Sequence, residues 1–320
     1  MMVELSNQEL IRKPKARSLW SRWHVTLILM CIPALAFVIL FHYVPMSGLV
    51  IAFKDYRTAL GIWNSPWTSM GGFKWFVTFV KSPVFWPLLR NTLVISVVGL
   101  VVNTVVPILY ALFLNEVKNK TLKKAIQLVM YAPYFVSTMV VVGMLFVFLR
   151  HDTGILTQFF MLFGFSPQSL MEDPDAFVAI YIISGLWQGL GWWSIIYMGS
   201  LANVDPNLHD AAKIDGAGRI RRIFTVNFPS ILPLAIIMFI MAVGSILNVG
   251  FEKIYLMNTP GNAEVSNIIS TYTYSITLKN GTSSMFSYGT AIGLFNSVIN
   301  IIILVSANFI SKRVSENSLW

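Results

Sequence analysis

The chain has little charge and almost no cysteine. Charged residues make up 12% of its 320 residues, against about 25% in a typical soluble domain. Hydrophobic residues make up 56%, and the mean hydropathy is +0.68. The single cysteine, Cys31, excludes an internal disulfide and so gives no information on the redox compartment. This composition excludes an ordinary soluble domain and indicates a membrane protein.

The sequence also lacks the motifs of an ATPase, a metal site or a sugar-transferring enzyme. It contains no GxxxxGK[ST] loop, so any ATP must be hydrolysed by another chain. Asp173-Pro174-Asp175 is formally a DxD motif, but its place in a short loop favours a turn. The four histidines are scattered and none pairs with the cysteine in metal-ligand spacing; they are His24, His42, His151 and His209. We therefore predict no catalytic residue and no metal site.

Long continuous apolar runs are abundant. Because about 20 apolar residues are needed to cross a bilayer as a helix, these runs predict transmembrane helices. Pro107 lies inside the second run and predicts a kink there. The predicted fold class is an all-α polytopic membrane protein with six spans, at about 26–46, 88–114, 126–149, 177–202, 231–250 and 288–310.

The net charge of +9 is unevenly distributed along the chain. If the N-terminus lies inside, the inner segments hold 15 Lys and Arg residues and the outer segments hold seven. This asymmetry follows the positive-inside rule, so it predicts that both termini are cytoplasmic and does not indicate nucleic-acid binding. A basic leader precedes the first apolar run. Because this run is too long for a signal peptide, it predicts an uncleaved membrane anchor. The predicted domains are a basic segment, 1–25, suited to the membrane surface, a transmembrane domain, 26–310, and a cytoplasmic tail, 311–320.

A compact polar segment, 203–230, separates the fourth and fifth predicted spans. Asp205 is placed to cap a short helix that begins at Pro206. Gly216 and Gly218 can adopt left-handed conformations that end the helix and reverse the chain. The sequence therefore predicts a short, rigid protrusion from the membrane.

The stretch from Asp210 to Pro233, DAAKIDGAGRIRRIFTVNFPSILP, begins in this segment and resembles the loop motif of the membrane subunits of binding-protein-dependent ABC importers. Asp210 stands where that motif usually has glutamate, and Ile223 stands at its usual phenylalanine position. The resemblance implies a helix that couples this subunit to separate ATPase subunits, which would bind ATP and Mg. The coupling residues that it implies are Asp210, Ala211, Ala212, Asp215, Gly216, Ala217 and Gly218.

Further segments resemble permeases for complex oligosaccharides, those for uronate-containing fragments such as alginate among them. They are GLVIAFKDY (48–56), GGFKWF (71–76), SNIISTYTY (266–274) and YGTAIGLFNSVIN (288–300). The resemblance implies a non-enzymatic subunit with the fold of a type I-like ABC importer permease, in the bacterial cytoplasmic membrane. It further implies four kinds of partner: a second permease subunit in a heterodimer, two ATPase subunits, an extracytoplasmic binding protein and membrane lipids. The substrate class therefore rests on resemblance, whereas the membrane architecture rests on composition.

A sugar path requires polar groups together with flat apolar faces. The fourth span supplies both, because Gln188 near its middle is costly if it faces lipid. An acidic sugar would favour a cation, for which Arg90, Lys253 or the partner subunit are the sources. Helix packing explains the same residues at least in part, because Gly185 and Gly189 permit close helix approach. The predicted path residues are Trp187, Gln188, Trp192, Asn248 and Glu252.

Two other functions are compatible with a polytopic chain. An ion-coupled secondary transporter is the main alternative, although such proteins usually carry acidic residues inside their spans. None of the six predicted spans has an acidic residue near its middle. A membrane-embedded glycosyl enzyme is a third hypothesis, which rests on the DxD motif alone.

Overall fold

The computed structural model describes residues 22–151, 153–164, 169–279 and 282–314. Within these ranges the regular structure is helical and no β-strand is found; Lys54 and Trp67 form an isolated antiparallel bridge. The all-α prediction is thereby confirmed. The predicted domain boundaries stay a prediction, and residues 1–21 and 315–320 of the two terminal segments lie outside the described residues.

The chain forms two compact units that divide between Val50 and Ile51. In the first, helix α1 (Arg22–Val38) continues through a π-helical turn (Ile39–Tyr43) and α2 (Val44–Met46) into a 3₁₀ helix (Ser47–Phe53) that ends beyond the division. The second unit begins with shorter elements and the first long helix: α3 (Gly61–Asn64), a 3₁₀ turn (Met70–Gly72), α4 (Lys74–Lys81) and α5 (Phe85–Asn115).

The middle of the second unit contains α6 (Lys120–Tyr131), a 3₁₀ turn (Ala132–Phe135), α7 (Thr138–Phe148), α8 (Ile155–Met161) and the long α9 (Pro174–Leu201). Next come α10 (Pro206–Ile214), α11 (Arg219–Arg222), a π-helical segment (Ile223–Asn227) and α12 (Phe228–Val243). The last elements are α13 (Phe251–Met257), α14 (Ala263–Ser266), α15 (Ile269–Tyr274), a π-helical turn (Ser275–Lys279) and α16 (Ser283–Val314).

Five segments of the described chain are long and apolar enough to cross a membrane as helices. They are Thr26–Phe53, Phe85–Asn115, Pro174–Ala202, Arg219–Val243 and Met285–Arg313. A sixth, broken segment joins Lys120–Phe135 to Thr138–Phe148 with a bend of 98°. Five or six apolar spans agree with the sequence prediction, but two details differ. The fifth span begins before Pro229 and ends at Val243, and the third is not the straight helix that 126–149 suggested.

The bend in the third segment has a local cause. Pro133 occupies the first turn of the 3₁₀ helix, which ends at Val136 with extended backbone angles (φ −80°, ψ 130°). Ser137 is also extended, and its hydroxyl accepts a hydrogen bond of 3.4 Å from the Val140 amide at the start of α7. Gln188 of α9 donates a 2.8 Å hydrogen bond to the freed Val136 carbonyl. Hydropathy missed the break because, within the predicted span 126–149, most residues on both sides of it are apolar.

The core of the second unit is built around the packing of α5 against α9. Towards one end of this pair, Ile108 of α5, Tyr197 of α9 and Ile231 of α12 form a buried cluster. Towards the other end, Ile95 of α5 and Phe177 of α9 pack with residues of α7 and α13. Helix α5 runs through Pro107 without interruption. The two helices therefore form the central pair against which the other elements of the second unit pack.

Polar side chains fix the short elements near one end of the α5–α9 pair. Asn91 of α5 donates to the carbonyls of Glu264 (2.7 Å) and Asn267 (2.9 Å). The fully buried Asn262 donates to the carbonyls of Met171 and Met257. Because the two bonds of Asn91 and the bond from Asn262 to Met171 join residues far apart in sequence, they hold α13 and α14 in place beside α5 and α9.

Candidate functional site

The helix in the 203–230 segment is capped as its sequence predicts. The Asp205 side chain accepts a 2.9 Å hydrogen bond from the Asn207 amide, and α10 begins at Pro206. Asp173 caps α9 in the same way, through the Asp175 amide at 2.9 Å. The DxD motif is thus the N-terminal cap of α9 and not the loop turn that the sequence suggested.

The end of α10 is closed by backbone hydrogen bonds around Gly216. The Gly216 amide donates to Lys213 and the Ala217 amide donates to Ala212, at 3.0 and 2.8 Å. This pair of bonds is a Schellman motif, which requires a left-handed residue, and Gly216 has φ +76°. Gly218 does not share this conformation, because its φ of −66° and ψ of 173° are extended and it begins α11. The prediction of a left-handed backbone is therefore confirmed for Gly216 and wrong for Gly218.

The surface of α10 is exposed and partly apolar. Ile214 is 87% exposed and Leu208 is 51% exposed. Asp210 forms a 2.7 Å ion pair with Lys213, and the hydrogen bond from this amine lowers the pKa of the Asp210 carboxyl. Exposed aliphatic side chains beside small alanines are typical of a surface that receives another protein.

The base of this segment is anchored in the core of the second unit. Ile223 is buried in the cluster formed by α5, α9 and α12. The amide group of Asn227, which is fully buried, donates to the Glu116 carboxylate at the end of α5 at 3.4 Å. A force applied to α10 would therefore reach the long helices through packed side chains.

Two adjoining cavities lie where α5, α9 and α13 meet. One has a volume of about 470 Å³ and is lined by α5, α9, α12 and the residues that follow α12. The other, of about 660 Å³, extends to the break before α7 and to α13. Both are lined by Gly99, Asn103, Tyr181, Trp193 and Gly250. We refer to the two together as the polar cavity.

Four of the five predicted path residues line the polar cavity. Trp192 and Asn248 line its smaller part, whereas Gln188 and Glu252 line its larger part. Trp192 is stacked on Tyr134, with ring centroids 4.5 Å apart and planes inclined by 5°. Tyr134 was not among the predicted path residues, although Pro133 beside it is the signal for the break that brings its ring to α9.

Trp187, the fifth predicted path residue, does not line the polar cavity and so is not grouped with Gln188. It lines a separate apolar cavity of about 970 Å³ between α7, α8 and α9. Successive residues of a helix point about 100° apart, because one turn takes 3.6 residues. A Gln188 that faces the polar cavity therefore directs Trp187 away from it.

Lys253 of α13 is a buried cation at the polar cavity. Its side chain is 8% exposed, and its amine donates a 3.0 Å hydrogen bond to the Tyr181 carbonyl. The amine also lies 5.0 Å from the centroid of the Tyr181 ring. Burial lowers the pKa of the Lys253 amine to about 8. Among the described residues that line the polar cavity, Lys253 is the only cation and Glu252 the only anion.

Comparison with known proteins identifies the family. Residues 105–316 match the family of binding-protein-dependent transport system inner membrane components. The Bacillus subtilis (strain 168) protein LplB is 40% identical over 92% of this chain and 91% of its own length. The polygalacturonan/rhamnogalacturonan transport system permease protein YteP of the same organism is 39% identical over 92% of this chain and 90% of its own length.

The fold is also similar to that of a solved importer. A chain of the bacterial alginate ABC transporter, crystallised in complex with an alginate pentasaccharide-bound periplasmic protein, superposes with a TM-score of 0.83. That chain is 33% identical, and the match covers 93% of this chain and 98% of that one. The protein described here belongs to the family of binding-protein-dependent transport system inner membrane components and is a multi-pass permease subunit of an ABC sugar importer.

Proposed function

We propose that this permease moves acidic oligosaccharides, built from uronic acid units, across the cytoplasmic membrane. The observation that carries the proposal is similarity over nearly the whole chain to two proteins named for such polymers. One is the permease for polygalacturonan and rhamnogalacturonan, and the other is a chain of the alginate importer. Both names denote polysaccharides that contain uronic acids.

The composition of the polar cavity is consistent with a sugar. The stacked rings of Trp192 and Tyr134 offer a flat apolar surface to the C–H face of a pyranose ring. Gln188 and Glu252 supply oxygen atoms that can accept hydrogen bonds from sugar hydroxyls. These roles are part of the proposal, in which the polar cavity forms one part of the substrate path.

In this proposal the segment around α10 transmits the movement of ATPase subunits, which bind ATP and Mg. The capped helix, its exposed Ile214 and its buried anchor at Asn227 support that role. A second permease subunit completes the pathway in a heterodimer, with both chain termini in the cytoplasm. Transport then proceeds by alternating access, since nucleotide binding and the loaded binding protein favour different states of the same helices.

Uptake into proteoliposomes tests this function. The complete importer, with its binding protein outside and ATP inside, should accumulate radiolabelled trigalacturonate. Omission of ATP or of the binding protein should abolish accumulation. Carboxyl-reduced trigalacturonate, which keeps the ring and the length but has no charge, should compete with the acidic substrate much less well.

Two outcomes would contradict the proposal. Accumulation driven by a proton or sodium gradient in the absence of the ATPase subunits would instead favour an ion-coupled secondary transporter, an alternative that the family assignment does not support. Equal competition by the carboxyl-reduced sugar would show that this ABC sugar importer has no preference for acidic substrates.

A further inference from the structure

The position of Lys253 requires a reason, because a buried ammonium is costly. Removing a cation from water is strongly unfavourable unless it is paired with a negative charge or hydrogen-bonded. No ion pair of Lys253 is found within the described part of the chain. An ammonium has three N–H groups, and the described hydrogen bonds engage one of them, with the Tyr181 carbonyl.

The surroundings of the amine leave space for a further ligand. Helix α9 has glycine at position 185, where an added Cβ would lie 3.3 Å from the Lys253 nitrogen. A larger residue at position 185 would therefore crowd the amine. Both Gly185 and Lys253 line the larger part of the polar cavity, together with Gln188. The amine is thus held by one carbonyl and one aromatic face at the edge of an open volume.

We propose that Lys253 binds the carboxylate of a uronic acid unit while the oligosaccharide occupies the polar cavity. This assignment rests on the proposed function and adds the residue that distinguishes an acidic sugar from a neutral one. A carboxylate supplies two acceptor oxygens to the N–H groups that face the cavity, and it neutralises the buried charge. Arg90, the other cation that the sequence suggested, is exposed on α5 and does not line this cavity.

Glu252 has the opposite charge and lines the same cavity, so it also influences an acidic ligand. Its side chain is exposed, whereas that of Lys253 is buried. We assign Glu252 to the hydroxyl groups, which donate hydrogen bonds, and Lys253 to the carboxylate, which accepts them.

The test uses the complete importer in proteoliposomes and trigalacturonate as the probe. Lys253→Met, which keeps the length of the side chain but removes its charge, should reduce ATP-driven uptake by about tenfold or more, as expected for the loss of a charge-assisted hydrogen bond. Lys81→Met is the matched control, because Lys81 is exposed in α4 and lines no part of the polar cavity. Co-purification of the ATPase subunits reports whether each variant assembles.

Chemical rescue separates a ligand-binding amine from a structural one. In a Cys31→Ser background, Lys253→Cys is treated with 2-aminoethyl methanethiosulfonate, which restores a positive charge through a mixed disulfide and releases methanesulfinate. Ethyl methanethiosulfonate adds a neutral group of similar size. Uptake should recover with the first reagent and not with the second, and mass spectrometry measures the extent of labelling.

Each other outcome overturns the assignment. These outcomes are uptake by Lys253→Met within about twofold of wild type, equal losses in the Lys81 control, equal rescue by the neutral reagent, or a cysteine that the reagents do not reach. If the wild-type importer does not accumulate trigalacturonate at all, the proposed substrate class fails, and the assignment fails with it.

Discussion

At the scale of single residues, Gly216 and Gly218 differ although they are only two positions apart. Gly216 has φ +76°, a conformation that L side chains rarely adopt, whereas Gly218 is extended. An added Cβ at Gly216 meets no described atom within 4 Å, so a larger residue would act through backbone strain alone. Such strain costs about 1–3 kcal/mol per residue.

Gly216→Val should therefore disrupt the end of α10 and uncouple ATP hydrolysis from transport. We expect weaker association with the ATPase subunits, or ATP hydrolysis that the loaded binding protein no longer stimulates. Binding of sugar to the binding protein itself should be unchanged. The measurements are co-purification, stimulated ATPase activity and uptake in proteoliposomes.

Gly164→Val is the matched control for backbone strain. Gly164 also has a left-handed backbone, with φ +84°, and an added Cβ there meets no described atom within 4 Å. Gly164 follows α8 and is distant in sequence from the 203–230 segment. Normal coupling in Gly216→Val, or equal uncoupling in both variants, would contradict a specific coupling role for α10.

At the scale of elements, the packing of α6 against α9 depends on a glycine that the sequence did not single out. Gly185 and Gly189 were the predicted close-approach pair, but their nearest neighbours are the amine of Lys253 and the ring of Trp193. At Gly191, in contrast, an added Cβ would overlap the Met130 carbonyl at the end of α6. Gly191 therefore sets the distance between the two helices just before the break.

Gly191→Val should destabilise the protein by about 1–3 kcal/mol, the usual cost of overpacking a close contact. The expected result is a lower midpoint of thermal unfolding in detergent, measured by tryptophan fluorescence. Gly143→Val is the control, since Gly143 also lies within a helix, α7, but an added Cβ there meets no described atom within 4 Å. Equal midpoints for the two variants would show that α6 and α9 do not depend on this contact.

At the scale of the whole molecule, the described chain leaves much apolar surface uncovered. On α16, for example, Ile301 and Ile302 are 60% and 55% exposed. Lipid covers such surfaces in a single chain, and in the proposed heterodimer the second permease would cover part of them. The chain also contains no phosphate-binding loop, so transport requires other chains.

Incomplete assemblies should therefore be inactive. Proteoliposomes that hold this chain with the ATPase subunits but without the second permease should show no ATP-driven uptake of trigalacturonate, whereas the complete importer should be active. Native mass spectrometry of each preparation establishes which subunits are present. Full uptake without the second permease would contradict the heterodimer and indicate that copies of this chain form the pathway.

Much of the fold could be predicted because the relevant forces are local or compositional. Apolar runs located the long helices, since each span must satisfy its own backbone in lipid. Asp205 and Gly216 located the ends of α10, since a cap is made within a few residues. Pro133 was a local signal for the break at Val136, but the hydrogen bond that Gln188 of another helix donates to the free Val136 carbonyl could not be predicted in this way.

The sequence by itself determined that this is a polytopic helical membrane protein with a short capped helix between its fourth and fifth spans. Only the tertiary structure decided which side chains meet at the polar cavity. It turned Gln188 towards the cavity and Trp187 away from it, and it buried Lys253 against Tyr181 of α9. The physical reason is that hydropathy and capping act over a few residues. The environment of a side chain, by contrast, depends on contacts between helices that are far apart in sequence.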